Sequence, residues 1–285
     1  MSFKFLQLAD PQFGMFADFS QLSPAERKEA FGRLREMGAL PGADPEVPEG
    51  VTDLGPELLR FRAAIAEANR RRPAFVVVCG DLVHNIDQPA QWKALFDTAA
   101  GLDDGIPLHW IAGNHDLSLD AEEPTPDALS AYRDLIGSDY YTFSVEDTFF
   151  LALDSETLHR PNRVEGEAAR QLEFVADALG SRPAREARHR VAFMHTPLFL
   201  RDPREVELTS ASRENRYRLF TLFDDFGVKT VFSGHLHQNR VAQFGGVRQV
   251  ASGAVGFPLQ GESGYRVVEL TDDAVVDTYH PFMLD

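Results

Sequence analysis

Residues able to bind metal ions recur where apolar runs of strand length end. The first run ends at Asp10, and Gln12 follows two residues later in the segment "LQLADPQFG". A second run ends in "GDLVH", which supplies Asp81 and His84. Carboxylate, amide and imidazole groups are ligands for divalent cations. The spacing therefore indicates a metal site, although each segment taken alone is also typical of an ordinary turn.

Three further apolar runs end in polar groups of the same kind. They are "GNHD", "MHTP" and "SGHLH", which supply Asn114, His115, Asp116, His195, His235 and His237. A single histidine on an apolar strand is more often a core residue than a ligand. Five strand ends that all carry such groups favour one shared metal site over separate coincidences.

Segments of helical periodicity alternate with these apolar runs. Strands are predicted at 4–9, 74–80, 106–113, 190–195 and 228–234, with two more at 140–154 and several short ones after 240. Helices are predicted at 57–72, 89–100, 166–180 and 213–227. The alternation predicts an α/β fold with a mostly parallel sheet, to which the hairpin and the tail add antiparallel strands.

In an open α/β sheet, ligands bind beyond the carboxyl ends of the strands. The polar residues are therefore expected together at one sheet edge. Gly80, Gly113 and Gly234 lie beside them and allow the backbones to approach closely there.

Residues 15–53 interrupt the alternation. The segment holds a short helical stretch at 23–37 and a run rich in proline, glycine and acidic residues. It is too long for an ordinary connection between a strand and a helix. Two interpretations stay open, a lid over the site and a surface insertion. The whole chain, 1–285, is otherwise predicted to be one domain.

Composition limits the classes of partner and the compartment. The formal net charge of −16 argues against a nucleic-acid backbone or an anionic membrane as the main partner. The single cysteine, Cys79, excludes an intrachain disulfide, and its apolar surroundings favour a core role over a nucleophilic one. A signal-peptide pattern and a long apolar span are both missing from the sequence, so we expect a soluble cytoplasmic protein.

The ordered set D-x-Q, GD, GNHD, H and GHLH resembles the calcineurin-like metallophosphoesterase family over nearly the whole chain. The segments "ADPQFG" and "VFSGHLH" are similar to one subgroup of that family. The resemblance implies a four-layer αββα sandwich, in which two mixed sheets lie face to face with helices outside. It also implies two divalent ions bridged by Asp81. The other implied ligands are Asp10, position 12 and His237 for one ion, and Asn114, His195 and His235 for the other.

The same resemblance implies hydrolysis of a phosphate ester by a hydroxide that bridges the two ions. His115 is the implied general acid for the leaving oxygen, and Asp116 is implied to orient and charge it. Two divalent ions less two carboxylates leave a local charge of about +2, which attracts phosphate despite the acidic exterior.

Gln12 departs from the histidine that the family usually has at this position. An amide oxygen favours Mg²⁺ or Mn²⁺ over Zn²⁺, although iron or zinc stays an alternative for the pair. Three interpretations of Gln12 stay open. It binds the ion directly, it holds a water molecule that is the ligand, or this ion has been lost and the protein is a binding module. The Mn²⁺-dependent ADP-ribose/CDP-alcohol diphosphatases, another branch of the family, also carry glutamine here, so the departure does not itself indicate inactivity.

The leading functional hypothesis is hydrolysis of a phosphate monoester, with phosphoserine or phosphothreonine as one substrate class. The substrate would be a phosphorylated small molecule or a phosphoprotein. A phosphodiesterase or a Mn-dependent nucleotide diphosphatase is the first alternative, and a non-catalytic scaffold is the second. His115 and Asp116 weigh against the scaffold because such relatives typically lose these groups.

His84 and Arg216 are the candidate substrate-binding residues. Their alternatives are a surface-loop histidine and a solvated helix face. Specificity is expected to come from the loops at 15–53 and 201–212.

Overall fold

The computed structural model describes residues 2–36, 40, 42–118, 123–204 and 212–284. Its strands are β1 (Phe3–Leu8), β2 (Val76–Cys79), β3 (Leu108–Ile111), β4 (Tyr141–Val145), β5 (Thr148–Ala152), β6 (His189–Phe193), β7 (Thr230–Ser233), β8 (Arg240–Phe244), β9 (Val247–Ala251), β10 (Gly264–Leu270) and β11 (Val275–Pro281). Its α-helices are α1 (Met15–Gln21), α2 (Pro24–Glu36), α3 (Gly55–Arg71), α4 (Pro89–Ala99), α5 (Pro126–Leu135), α6 (Ser155–His159), α7 (Glu167–Gly180), α8 (Arg182–Glu186) and α9 (Arg213–Phe226).

The strands form two mixed sheets. One has the order β11-β10-β1-β2-β3 and the other has the order β4-β5-β6-β7-β9-β8. The neighbours β1, β2 and β3 are parallel, as are β5, β6, β7 and β9, whereas β10, β11, β4 and β8 pair antiparallel. The two-sheet architecture implied by the family resemblance is confirmed. Hydrophobic periodicity alone predicts α/β but not the division into two sheets.

Phenylalanine rings hold the two sheets face to face. Phe5 of the first sheet stacks on Phe75 with the ring centroids 4.7 Å apart. The Phe5 ring also makes edge-to-face contacts with Phe150, Phe193 and Phe232 of the second sheet. The ring centroids are 5.8, 5.5 and 5.7 Å apart. Edge-to-face pairs of this kind add to the burial of apolar area. The contact fixes the sheets so that the carboxyl ends of their central strands open on the same edge.

Alternation along β2 shows how one strand serves two layers. Val76 and Val78 pack with α3 and α4 on the outer face, whereas Val77 and Cys79 join the aromatic core between the sheets. The period of two places successive side chains on opposite faces. Cys79 is buried in this core as predicted, and burial raises the pKa of its thiol far above the usual range.

The segment 15–53 forms α1 and α2, of which only the helical stretch at 23–37 is predicted from the sequence. Phe19 of α1 stacks on Phe31 of α2 at 5.6 Å and on Phe257 at 5.3 Å. The segment therefore packs beside the loop that follows β9. Residues 37–39 and 41 lie outside the described residues, and closure over the site stays a prediction.

Several predicted boundaries are longer than the observed elements. The strand predicted at 106–113 spans Leu108–Ile111, and that predicted at 228–234 spans Thr230–Ser233. The ladder hydrogen bonds stop before the polar residues that follow, which frees those residues to turn into the site. Helix α5 is not predicted from the sequence. Among the described residues, no helix is long and apolar enough to cross a membrane.

Candidate metal centre

The polar residues at the strand ends converge as the sequence predicts. The ligand atoms of Asp81, His195 and His235 lie within 4.8 Å of one another. Those of Asp10, Asp81 and His237 form a second such group. Asp81 belongs to both groups, and this is the arrangement expected of a carboxylate that bridges two cations.

The backbone adopts unusual conformations at this edge. Asp10, Gln12, Asp81, His235 and His237 have positive φ angles of 50°, 38°, 50°, 69° and 50°. Left-handed backbone at a residue other than glycine costs of order 1–3 kcal/mol and clusters at functional sites. Five predicted ligands share this strain, so the tertiary structure holds each of them in a conformation that its own residue type disfavours.

Two glycines make room for the ligands. A β-carbon on Gly113 would overlap the backbone nitrogen and the carboxylate of Asp81. A β-carbon on Gly234 would lie 2.6 Å from the carboxylate of Asp10 and 2.8 Å from the carbonyl oxygen of Cys79. The close backbone approach predicted for these glycines is therefore present, and it brings the strand ends of both sheets together.

Backbone carbonyls orient two of the histidines. Nδ1 of His195 lies 2.8 Å from the carbonyl oxygen of Cys79, and Nδ1 of His237 lies 2.5 Å from that of Phe257. A carbonyl oxygen only accepts, so each Nδ1 carries the proton that it donates. Each Nε2 is left to face the centre, as in metal-binding histidines whose other ring nitrogen is held by a carbonyl.

The side-chain oxygen of Asn114 lies beside the group formed by Asp81, His195 and His235. This oxygen lies 3.1 Å from Nε2 of His195 and 3.0 Å from Nδ1 of His235, and the two nitrogens are 3.3 Å apart. An amide oxygen and two imidazole nitrogens at these separations can share one cation as ligands. With Asp81 they form the four-residue set implied for one ion.

Gln12 completes the set that contains Asp10, Asp81 and His237. Its side chain is 1% exposed, and its amide nitrogen lies 3.3 Å from Nδ1 of His84. Its amide oxygen is buried and has no hydrogen-bond partner among the described residues. An unsatisfied buried acceptor costs about 1–3 kcal/mol. A cation at this place would satisfy it, so the donor set of this chain fits the implied metal.

The electrostatics of the centre also favour cations. Burial raises the pKa of Asp10 well above its usual range, and the neighbouring Asp81 carboxylate acts in the same direction. Although burial opposes them, Asp81 and Asp10 raise the pKa of His195 well above its usual range. The pKa of Asp81 is lowered. Burial alone would raise it, but the nearby His195 and His115 outweigh that effect. Buried carboxylates here need positive charge, and divalent ions supply it.

Comparison with known proteins decides the family. The model of the calcineurin-like phosphoesterases matches residues 50–239. A Danio rerio relative, named serine/threonine-protein phosphatase CPPED1, is 31% identical over 284 residues, covering 98% of this chain and 84% of its own. This chain belongs to the calcineurin-like phosphoesterase family. It is a metallophosphoesterase, a hydrolase of phosphoric esters, and the resemblance seen in its motifs is confirmed.

Two further proteins are similar to this metallophosphoesterase. The crystal structure of a dimetal phosphatase from Danio rerio has a TM-score of 0.65 at 18% identity, covering 97% of this chain and 95% of its own. It shows the shared fold. A probable cyclic nucleotide phosphodiesterase of Rhodopseudomonas palustris is 31% identical over 184 residues, 63% of this chain and 63% of its own.

His115 lies beside the metal centre of this phosphoesterase. Its backbone N–H donates to Asp81 at 2.9 Å, and its Nδ1 donates to the carbonyl oxygen of His84 at 2.8 Å. The ring also stacks on that of His84, with the centroids 4.8 Å apart. Its Nε2 has no hydrogen-bond partner among the described residues. Burial lowers the pKa of His115, which favours the neutral form of the ring.

Asp116 makes its hydrogen bonds to backbone groups of the neighbouring loops. Its carboxylate accepts from the backbone N–H groups of Leu82, Val83 and Gly113 at 2.9, 3.3 and 2.8 Å. Among the described residues it makes no hydrogen bond to the His115 ring. Burial raises the pKa of Asp116 to about 8, and Asp81 acts in the same direction. Asp116 ties the loops after β2 and β3 together, and the carbonyl of His84 accepts from the His115 ring. The role of Asp116 in orienting and charging His115 stays a prediction.

The two candidate substrate-binding residues fare differently. His84 lies in the site, between Gln12 and Asp18. Arg216 is buried, and its Nη1 donates to the carbonyl oxygen of Pro203 at 3.0 Å. This contact is structural and gives no support to phosphate binding by Arg216. Of the loop at 201–212, residues 205–211 lie outside the described residues.

Sequence reasoning missed Asp18, whose carboxylate lies 3.0 Å from Nε2 of His84. No motif marks this residue, which lies on the short helix α1 in the segment 15–53. The site therefore uses a partner that only the tertiary structure reveals.

Proposed function

We propose that this metallophosphoesterase hydrolyses phosphate monoesters of alcohols, with phosphoserine or phosphothreonine as the substrate class. The observation that carries the proposal is the pair of ligand groups that share Asp81, with His115 directly beside it. The serine/threonine-protein phosphatase name of a relative that matches nearly the full length supports the substrate class.

Seven residues would hold the two ions. One ion would take Asp10, Gln12 and His237, the other would take Asn114, His195 and His235, and Asp81 would be shared. Such a pair of ions lowers the pKa of a bound water and neutralises phosphate oxygens. Mg²⁺ or Mn²⁺ suits the set that contains the Gln12 oxygen.

Nε2 is the atom of His115 that takes part in proton transfer, because Nδ1–H donates a hydrogen bond to the carbonyl of His84. Burial favours the neutral form of the free ring. A bound phosphate dianion brings negative charge close to the ring and raises its pKa, so Nε2 gains a proton as substrate binds. Nε2 then gives that proton to the leaving alkoxide oxygen.

The leaving group has a cavity of about 520 Å³ beside His115. The described residues that line it are Gly14, Ala17, Asp18, Gln21, Thr52, Asp53, Leu54, His84, Asn85, Gln88, Ala90, Gln91 and His115. None of them is lysine or arginine. A nucleotide diphosphate brings a second phosphate that needs positive charge, whereas an alcohol side chain needs only hydrogen bonds. The lining therefore favours a monoester whose leaving group is uncharged or cationic.

Phosphodiester hydrolysis is the second candidate. A diester carries less negative charge than a monoester, so a cavity without basic residues also suits it. The similarity to a probable cyclic nucleotide phosphodiesterase over 184 residues points the same way.

We expect kcat/KM for a phosphoserine peptide to exceed that for ADP-ribose and for a bis-aryl phosphate diester by tenfold or more, about 1.4 kcal/mol in transition-state binding. Steady-state kinetics with Mn²⁺ measure all three substrates on one preparation. A preference for the diester or for ADP-ribose would replace the monoesterase with the corresponding alternative.

Gln88→Lys adds a cation to the cavity wall and should raise the activity on ADP-ribose relative to the peptide. Gln243→Lys is the matched control, because Gln243 is exposed on β8 and does not line the cavity. An equal change in both variants would mean that the effect comes from net charge and not from the cavity.

A further inference from the structure

Three side chains form a line from the cavity wall to the metal centre. Oδ2 of Asp18 lies 3.0 Å from Nε2 of His84, and Nδ1 of His84 lies 3.3 Å from the amide nitrogen of Gln12. The amide oxygen of Gln12 is buried without a hydrogen-bond partner among the described residues. Gln12 is itself 1% exposed, so its amide oxygen is shielded from bulk solvent.

The chemistry of the groups fixes the direction of each hydrogen bond. An amide nitrogen only donates, so Nδ1 of His84 accepts from Gln12. A neutral imidazole with an accepting Nδ1 carries its proton on Nε2, which donates to the carboxylate of Asp18. The opposite tautomer would turn a nitrogen lone pair toward Asp18, and the two would repel. Asp18 therefore selects the tautomer of His84 that accepts from Gln12.

The tautomer in turn decides which end of the Gln12 amide faces the metal centre. The two ends of an amide have nearly the same shape, and only the oxygen binds a cation. A rotation by 180° would place the amide oxygen against the lone pair of Nδ1 of His84, which is unfavourable. A histidine at position 12 would not need this contact, because it has no amide NH₂ group that could face the cation in place of the ligand atom. With glutamine in place of histidine, the amide must be held in one orientation, and the contact with His84 provides this.

We propose that His84, held by Asp18, is the positioning residue that turns the amide oxygen of Gln12 toward the metal centre. This inference rests on the proposed two-ion function. It goes beyond that function because it assigns the orientation of one metal ligand to two residues that bind neither ion. Partners of metal ligands typically contribute 10–100-fold to metal affinity.

His84→Phe separates this role from the other contacts of the residue. Phenylalanine keeps a planar ring that can stack as His84 now stacks on His115, at 4.8 Å between centroids. The backbone carbonyl that accepts from Nδ1 of His115 is unchanged by the substitution. Only the two ring nitrogens are lost.

Isothermal titration with Mn²⁺ at pH 8 tests the proposal. The wild-type protein should bind two ions, and His84→Phe should weaken one of them about 10–100-fold while the other changes little. In a protein that carries Gln12→His, metal binding should no longer depend on His84. The Gln12→His variant and the double variant Gln12→His/His84→Phe should therefore bind both ions with similar affinities. The rescue distinguishes positioning of the amide from general damage to the fold.

His280→Phe is the control, because His280 stacks on Tyr265 away from the centre at 5.4 Å between centroids. Thermal melting of the metal-free variants shows whether each is folded. The proposal is overturned if His84→Phe binds both ions as the wild type does, or if the weakening persists in the double variant. A wild-type protein that binds no Mn²⁺ would instead contradict the two-ion function itself.

Discussion

Replacing Asp81 with asparagine is expected to remove both cations and to lower kcat/KM by about three orders of magnitude or more. Asp81 is the residue common to both ligand groups. A two-ion site contributes several kcal/mol of charge stabilisation to the transition state, and each 1.36 kcal/mol is tenfold in rate. Metal analysis after loading and gel filtration, together with steady-state kinetics, measures both effects.

Asparagine is a conservative probe at this position. Its side-chain oxygen can still accept the N–H of His115, which Asp81 accepts at 2.9 Å. Asp81 also raises the pKa of the neighbouring Asp10 and Asp116, for each of which burial is the larger cause. Loss of this repulsion offsets loss of the contact between Asp81 and His195 at 3.3 Å, so the metal-free variant should melt close to the metal-free wild type.

Only the wild type should gain stability when Mn²⁺ is added, because a ligand that binds the folded state stabilises it by mass action. Asp97→Asn is the matched control, since Asp97 pairs with Lys93 on the exposed face of α4. An Asp81→Asn protein that still binds two ions, or still gains stability from Mn²⁺, would show that Asp81 does not bridge them.

Replacing His115 with alanine should lower kcat for a phosphoserine peptide by about 10²–10⁴-fold, the contribution typical of a general acid. The same change should cost much less with a nitrophenyl phosphate, because a nitrophenolate leaves with little need for a proton. The ratio of the two losses is the readout. It separates proton donation from an indirect effect on the metal site, which would reduce both rates alike.

The variant should still bind two Mn²⁺ ions. The His115 side chain donates to the carbonyl of His84 and stacks on its ring, and among the described residues it makes no hydrogen bond to a predicted ligand. His115→Gln, which restores part of the lost volume, should show the same pattern. Equal losses with both esters, or an unchanged rate with the peptide, would remove His115 from the role of proton donor.

The convergence of the candidate ligands could be predicted from the sequence because local rules place them at the strand ends. Asp10, Asp81 and His195 follow apolar strands, and the carboxyl ends of neighbouring parallel strands meet at one edge. The glycines beside them, Gly113 and Gly234, have a steric role that their positions already suggested.

The division into two sheets could not be predicted from periodicity. It depends on pairings between distant residues, such as Phe3 with Leu270 where β1 meets β10. Nothing in either segment specifies the other. The sandwich was reached only through the family resemblance of the motifs, which carries information about long-range pairing that periodicity lacks.

The orientation of the histidine rings in the site also could not be predicted from the sequence. Backbone carbonyls of Cys79, His84 and Phe257 accept from three histidines, and a carbonyl has no residue-type signal. For the same reason the backbone contacts of Asp116 could not be predicted. Its carboxylate is held by backbone N–H groups of Leu82 and Gly113, which only the folded loops bring within reach.

The number of divalent ions bound per folded chain is the most direct test of the whole account. Mn²⁺-loaded wild-type protein, freed of excess metal and measured by inductively coupled plasma mass spectrometry, is expected to hold two ions per chain. A stoichiometry of zero or one in protein that melts cooperatively would contradict a paired centre built on Asp81.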